Sequence, residues 1–310
     1  MATVKDTAVT ATEGGARTAS PVSVADLVRQ VSALASLPGA CQRVMQIAED
    51  QRASAREMAE VISVDPGLSA RVLRLVNSAY FRLPQPVDNV AHAVQVIGTN
   101  ALRNLALATG AVNAFKGIPT TLVDMDAFWN ASVHCGLLAR ALARIARHQQ
   151  PERLFATGLL HAVGQLVMYT QAPARARVVL DQIRSQPQTR PAIEQQVFGF
   201  NYCDVGAALL EVWRLPPSMW LPIRYHRNPV AAPDYRTDTA LLAIAQAVTA
   251  VFEPDVKPGL PLTRAAPEIE AVAWLQSGLV AAVLPPALEE VDAQWFEVIE
   301  IISPGGTLVH

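Results

Sequence analysis

The side chains of this chain that could do chemistry are few and scattered. His161 stands as a lone imidazole in the apolar stretch Phe155-Ala156-Thr157-Gly158-Leu159-Leu160-His161-Ala162-Val163-Gly164-Gln165-Leu166. A histidine so placed either binds a ligand or is a core residue hydrogen-bonded to a neighbour, and the apolar surroundings favour the second. His226 and Arg227 fall just before Pro229 at the end of a helical run, where a cationic, capping or solvated role is the plain expectation. Asp65 before Pro66 reads as a helix N-cap, and Asn77-Ser78 as a turn signal rather than a catalytic pair. Arg71, Arg74, Arg82 and Arg103 make at most a local basic face, more simply a solvated helix surface. Cys41, Cys135 and Cys203 are far apart and form no CxxC pair, so they read as reduced, buried small residues. No Ser-His-Asp arrangement, phosphate-cradling glycine loop or GxGxxG pattern rises above chance.

These residues need a scaffold, and the composition supplies one. Of 310 residues, 51% are hydrophobic and only 17% charged, the balance of a chain with a large packed core. A net charge of −2 leaves no electrostatic footprint for nucleic acid or an anionic membrane. No apolar run approaches the roughly 20 residues needed to span a bilayer. The N-terminus lacks the basic-then-apolar order of a secretory signal. The expectation is a soluble, cytoplasmic protein.

Apolar residues recur at helical spacing almost throughout, and no alternating pattern exceeds four residues, so the predicted fold is all-α. Residues 1–21 carry no periodicity and are expected to be a disordered tail. From Val22 to Lys116, short helices are punctuated by Leu37-Pro38-Gly39, by a capping box at Ser54-Ala55-Arg56-Glu57, by Asp65-Pro66, and by Gly98 followed by Thr99 as a cap. Residues 117–127 read as a linker, with Asp126 capping the helix that carries Phe128 and Trp129. Arg140, Arg144, Arg147 and His148 crowd that helix's C-terminal half, where cations suit the helix dipole. One buried helix is expected from Pro151 through Val167; Gly158 and Gly164 inside it each cost about 1 kcal/mol against alanine and imply that another backbone packs close by. Further helices cover Ala174–Ile183, Glu194–Phe198 up to Gly199, Tyr202–Trp213 behind an Asn201 cap, and Pro217 through His226. Asp238 is expected to cap a last core helix ending near Phe252. A Pro/Gly-rich linker, Pro254–Pro261, then precedes two helices, about Pro267–Val283 and Pro286–Ile302.

Several of these motifs, in order, resemble one family. Leu37-Pro38, then Ile62-Ser63-Val64-Asp65-Pro66-Gly67-Leu68-Ser69-Ala70-Arg71-Val72-Leu73-Arg74-Leu75-Val76-Asn77-Ser78-Ala79-Tyr80, is similar to the opening signature of the HDOD domain. Ala91 to Gly98 with Leu102-Arg103-Asn104-Leu105, Phe128-Trp129, Gly158-Leu159-Leu160-His161, Phe198-Gly199, Val205-Gly206-Ala207-Ala208-Leu209-Leu210, Trp213-Arg214-Leu215-Pro216 and His226-Arg227-Asn228-Pro229 continue it, across roughly residues 25 to 255. The resemblance implies a bacterial signalling module with an all-helical fold related to the HD phosphohydrolases, made of an N-terminal helical bundle packed on an HD-like core. On that reading residues 22–116 are the N-terminal subdomain, 128–253 the HD-like core and 254–310 a C-terminal helical extension.

An active HD site gathers His and Asp side chains on a divalent metal that activates water for attack on phosphate. Against that pattern Ala162 replaces the key aspartate, Ala131 stands near where an early histidine would be offered, and His134 lies one turn later. Asn201 and Tyr202 occupy the Gly-x-Asp-His region, and Arg227 replaces the second residue of the His-His-x-Pro motif, where a guanidinium repels a cation. The resemblance therefore implies no metal, no cofactor and no catalytic residue, but a remnant pocket in which His161, Tyr202, His226 and Arg227 hold an anion or a partner's carboxylate. The expected function is a non-catalytic regulatory module acting through protein contacts. Its partners would be other signalling proteins, two-component or cyclic-dinucleotide-turnover proteins among them, and a homo-oligomer is left open. No output domain is seen in the chain, so signals are expected to pass through separate proteins. The alternatives are a metal-dependent phosphohydrolase acting on a nucleotide or cyclic dinucleotide, and metal-free binding of a nucleotide second messenger. The C-terminal helices, with Trp274, Trp295 and Phe296, are expected either to pack on the core or to offer a partner or dimer surface.

Overall fold

The computed structural model describes residues 22–34, 39–49, 54–115, 122–183, 190–252 and 269–304. Among them there are helices and no strand, so the chain is all-α. The expected tail, the Leu37-Pro38 stop, the Lys116–Pro119 break and the Pro254–Pro261 linker lie outside the described residues. No single described helix is long and apolar enough to cross a membrane.

The N-terminal part comprises α1 (Val24–Leu34), α2 (Gly39–Glu49), α3 (Ala55–Ser63), α4 (Pro66–Asn77), α5 (Val90–Ile97) and α6 (Thr99–Ala114). Their ends are set by local chemistry. Ser54 and Glu57 each accept the other's backbone N–H, the reciprocal cap that starts α3. The Asp65 carboxylate accepts from Leu68 N–H at 2.9 Å to start α4. Asn77 closes that helix by pairing its amide with both backbone groups of Val87, each at 2.7 Å, so the Asn77-Ser78 signal is architectural. Thr99 was expected to cap α6 but is its first residue. Gly98, at φ +83°, ends α5 and opens α6 with no side-chain cap, because only glycine takes that backbone without strain.

The second part is built on α7 (Met125–Ile145), α8 (Pro151–Leu160), α9 (Val163–Gln171), α10 (Pro173–Ile183), α11 (Arg190–Phe198), α12 (Tyr202–Val212), α13 (Pro217–Tyr225) and α14 (Arg236–Thr249). Asp124, not Asp126, caps α7: its carboxylate accepts from the N–H groups of Asp126 and Ala127. Helix α7 therefore begins inside the stretch expected as linker. Helix α11 likewise begins at Arg190, earlier than Glu194. Helices α7 and α8 cross where both lack side chains: a Cβ on Gly158 would sit 2.7 Å from Gly136 Cα, which no real contact allows. A Cβ on Gly164 would collide with the Tyr202 carbonyl oxygen, so α9 lies backbone to backbone against α12. The close packing implied by the two internal glycines is thus present at both.

The single helix expected through His161 is instead two. Helix α8 stops at Leu160, and His161-Ala162 form the break before α9. The His161 imidazole donates Nδ1–H to the Gly158 carbonyl at 2.7 Å, occupying the acceptor that a continuing helix would offer to Ala162 N–H. Asp238 also differs from its expected role. It lies in the first turn of α14, behind Tyr235 at φ +52°, and is buried. There it accepts from Arg153 Nη2 at 2.7 Å and faces His148 Nε2 at 3.3 Å. Burial alone would raise its pKa, but the His148 hydrogen bond and the Arg153 charge outweigh it and hold the carboxyl below its usual range.

At the C-terminal end, the helix expected over Pro267–Val283 is short: α15 (Ala271–Ser277) stops at Gly278, which is left-handed at φ +69°. After a 3-10 turn, α16 (Leu284–Ile302) runs back against α7 and α4. Arg140, whose charge alone suggested a helix-dipole role, is a buried junction between these parts. It is 4% exposed, its guanidinium lies 3.7 Å over the Tyr80 ring, and it donates to the Tyr80 carbonyl at 2.9 Å and to Glu152 at 3.3 Å. Gln294 and Glu290 of α16 approach the same group at 3.5 and 3.6 Å. The Glu297 carboxylate reaches Ala79 N–H at 2.6 Å, and the Trp295 indole donates to Asn130. The C-terminal helix therefore packs on both parts, with its buried Val291, Val298, Ile299 and Ile302 inward.

Candidate functional site

Three of the four candidate residues meet at the ends of three helices. His161 follows α8, His226 follows α13, and Tyr202 opens α12. They are 3%, 2% and 1% exposed. Asn201 and Asp204 form the capping box that starts α12, and the buried Glu194 carboxylate accepts the Tyr202 N–H at 2.9 Å, fixing where the phenol begins. Glu194 faces Arg190 at 3.6 Å, and Arg190 donates to the Tyr169 hydroxyl at 3.1 Å, so a buried polar chain from α9 through α11 backs the start of α12.

The two imidazoles are arranged alike. Each points Nδ1 at the carbonyl three residues back: His161 to Gly158 and His226 to Ile223, both at 2.7 Å. A carbonyl only accepts, so Nδ1 carries the proton in both rings, and each histidine caps the end of its own helix. In His226 this leaves Nε2 as the acceptor, and the Tyr202 hydroxyl donates to it at 3.0 Å. The His161 and His226 rings meet edge to face, with centroids 5.7 Å apart. Burial holds His226 well below the usual imidazole range; the neighbouring His161 and Arg227 push the same way, and only the Ile223 carbonyl opposes them. The Cys203 thiol, 4.0 Å from His226 Nδ1, is pushed up by burial and stays a thiol.

Arg227 leaves this cluster. Its Nη1 donates to Gln246 Oε1 of α14 at 2.5 Å. It lines, with His226 and Gln246, a recess of about 130 Å³ walled by small residues of α14 and α15. The four candidate residues thus divide between a closed imidazole–phenol cluster and a separate recess that Arg227 lines. Sequence reasoning missed Gln246, Glu270 and the recess, because they come from helices with no local signal for it. It also missed Glu194, eight residues from the backbone group it caps.

The residues present do not fit the metal centre of an active HD protein. Ala162 offers no carboxylate, the Tyr202 phenol occupies the Nε2 of His226, and a guanidinium follows His226 in the chain. Among the described residues, no group of three or more His, Cys, Asp or Glu is placed to hold a metal ion. His134 belongs to another cluster, stacked on Phe252 at 4.0 Å and Trp295 at 5.3 Å between ring centroids. Burial lowers its pKa.

This is an all-helical, HD-like domain whose histidines are tied into its own hydrogen bonding. The chain belongs to the HDOD domain family, whose model matches residues 34–229. A provisionally named phosphohydrolase of Shewanella amazonensis SB2B is 25% identical, with a TM-score of 0.69 over 89% of this chain and 98% of that one. An HDOD domain protein with unknown function from Geobacter sulfurreducens has the same fold, with a TM-score of 0.70 at 21% identity over 91% of this chain and 98% of that one. An uncharacterized protein of Treponema pallidum (strain Nichols) is 26% identical over 224 residues, which are 71% of this chain and 43% of that protein. The chain therefore spans less than half the length of this curated relative.

Proposed function

We propose that this chain is a non-catalytic regulatory module in bacterial signal transduction, acting through protein–protein contacts. The observation that carries the reading is the Tyr202–His226 bond. A metal-binding imidazole presents an unprotonated nitrogen to the ion while its other N–H is oriented by a neighbour. Here Ile223 orients the ring, but the nitrogen left over receives the Tyr202 hydroxyl. With Ala162 in place of a carboxylate, nothing in the cluster can both neutralise a dication and activate water. The likeness to a provisionally named signal transduction protein of Marinobacter aquaeolei VT8, at 24% identity, is one of fold and agrees with a signalling role without adding to it.

The test has two arms. The full chain, supplied with iron or manganese, is assayed for hydrolysis of nucleotides and cyclic dinucleotides, and no turnover above buffer is expected. Capture from the native cell extract should enrich a defined signalling protein that captures this chain in return; failure to enrich any specific protein counts heavily against contact-mediated action.

The phosphohydrolase reading draws on the facing imidazoles and on the Shewanella relative's name. It requires ligands that this cluster would have to recruit from elsewhere. Metal-free binding of a nucleotide second messenger is less well served by the recess, since about 130 Å³ falls short of the roughly 300–1,000 Å³ of ligand pockets for molecules of that size.

A further inference from the structure

We propose that the open recess at the turn between α7 and α8 is a subsite for a phosphoryl group, held by Arg147, Arg153 and Arg103. It lies at the start of α8, the opposite end of that helix from His161, and shares no lining residue with the recess beside His226. It goes beyond the non-catalytic reading and stands without it, since it needs neither a partner protein nor the absence of a metal.

The recess has a volume of about 380 Å³, and Ala146 is the one apolar residue in a lining otherwise made of Arg147, His148, Gln149, Gln150 and Arg153. Part of that lining is committed to holding Arg153. Its guanidinium donates Nη1–H to Gln150 Oε1 at 2.9 Å and Nη2–H to Asp238 at 2.7 Å, while Nε is buried without a partner. His148 accepts the Gln150 N–H on Nδ1 at 3.1 Å and turns Nε2 onto the same Asp238 at 3.3 Å. The Arg153 fork is thus fixed in its plane. Arg147 follows α7 at φ +54°, is exposed, and its side chain makes no hydrogen bond or ion pair with the described residues.

Arg103 of α6 supplies a third guanidinium. Its spacing suggested a solvated helix surface, yet it is half-buried, and its side chain has no hydrogen bond or ion pair among the described residues. Burial pushes its pKa down, the charge of Arg153 pushes the same way, and no carboxylate opposes them. A cation drawn partly out of water beside a like charge is stabilised by an anion that both can reach. Glu152 is taken up by Arg140, so three guanidiniums less the Asp238 carboxylate leave a local charge of about +2 in a chain whose net charge is −2. A phosphate ester, at about −1.5 to −2, matches that charge. Its tetrahedral oxygens accept from donors arriving from separate elements, whereas a planar carboxylate matches a single guanidinium fork. The volume leaves room for the group that carries the phosphate, but no Phe, Tyr or Trp ring lines the recess to stack a nucleobase.

Two sources share this chemistry, a free phosphate ester and a phosphorylated side chain of another protein. Phosphorus-31 line broadening of inorganic phosphate by the full chain, in low-salt buffer, reads the site directly. Saturable broadening is expected with wild-type protein. The affinity should weaken at least tenfold in Arg147→Gln and in Arg103→Gln, and stay unchanged in Arg56→Gln, which removes an exposed arginine of α3. Arg147 is exposed and unpaired, so its variant keeps the fold, which an unchanged unfolding midpoint verifies. Displacement of phosphate at least tenfold better by N-acetyl-O-phosphoserine amide than by glycerol 3-phosphate assigns the subsite to a phosphorylated side chain; equal or reversed displacement assigns it to a free ester. Malonate, a dianion with planar carboxylates, should displace at least tenfold less well than either. The proposal is overturned by an absence of broadening with wild-type protein, by affinity that survives in Arg147→Gln, by an equal loss in Arg56→Gln, or by malonate displacing as well as the phosphate esters.

Discussion

Replacing Tyr202 by Phe removes one hydroxyl and leaves the ring. In the native protein that hydroxyl is the one donor to His226 Nε2 among the described residues, in a ring that is 2% exposed and whose Nδ1 is already committed to Ile223. The variant therefore leaves a buried acceptor facing a hydrocarbon edge. An unsatisfied buried polar group costs about 1–3 kcal/mol, whereas a net-neutral exchange of hydrogen bonds with water costs close to nothing. The void left by one oxygen adds only a few tenths of a kcal/mol, at about 24 cal/mol per Å³ if unrelaxed. The expected loss is about 1–3 kcal/mol, a fall in melting temperature of roughly 2–4 °C per kcal/mol for a chain of this size. Urea unfolding followed by circular dichroism measures it, with the midpoint moving and the slope unchanged. A midpoint equal to wild type would refute the reasoning, because it would mean that Nε2 is satisfied from elsewhere and that Tyr202 does not close the cluster.

Other perturbations test neighbouring parts of the account. His226 and His134 both have pKa values lowered chiefly by burial, so the unfolded chain, near pH 6.5 for histidine, binds protons the folded one does not. Their contribution is present above about pH 6.5 and is lost as pH falls below it toward their folded pKa values; stability should drop by up to about 1.4 kcal/mol per pH unit for each, and His226→Gln should remove one share of that slope in pH-dependent urea titrations. Gly164→Ala forces a methyl into the Tyr202 carbonyl and should cost about 1–3 kcal/mol or more in denaturant midpoint, far beyond the small gain alanine brings to an open helix. Arg140→Ala leaves the half-sequestered Glu152 and the Tyr80 carbonyl without their guanidinium and should cost about 3–5 kcal/mol. Arg144→Ala, which breaks only a half-exposed pair with Glu290, should cost no more than about 1 kcal/mol. Equal effects of the two arginines would contradict the junction assigned to Arg140.

What the chain reveals in one dimension is what its neighbours in sequence decide. Ser54 with Glu57, Asp65 with Pro66, Asn201 with Asp204, and Leu215-Pro216-Pro217 all act within a turn of themselves, and each sits where its chemistry implies. Gly158 and Gly164 also declared a close backbone, although not which one. The break after Leu160 was hidden because it depends on the rotamer that turns His161 Nδ1 onto Gly158. Arg140 was misread because its partners Tyr80 and Gln294 stand 60 and 154 residues away. Asp238 looked like a cap until Arg153 and His148, from the other side of the core, came to meet it. Of the candidate site, the residue types at His161, Tyr202, His226 and Arg227 were legible from the family pattern. Their division into a sealed cluster and an open recess is set by where α14 and α15 fall, which no local motif encodes.

On the proposed reading, the imidazoles at the ends of α8 and α13 serve the fold and hold no metal. Elemental analysis of the full chain, purified without chelator from cells grown with iron and manganese, tests it most directly. The expected result is substoichiometric metal that does not change on His161→Ala or His226→Gln substitution. Stoichiometric iron or manganese that disappears with either substitution would contradict it.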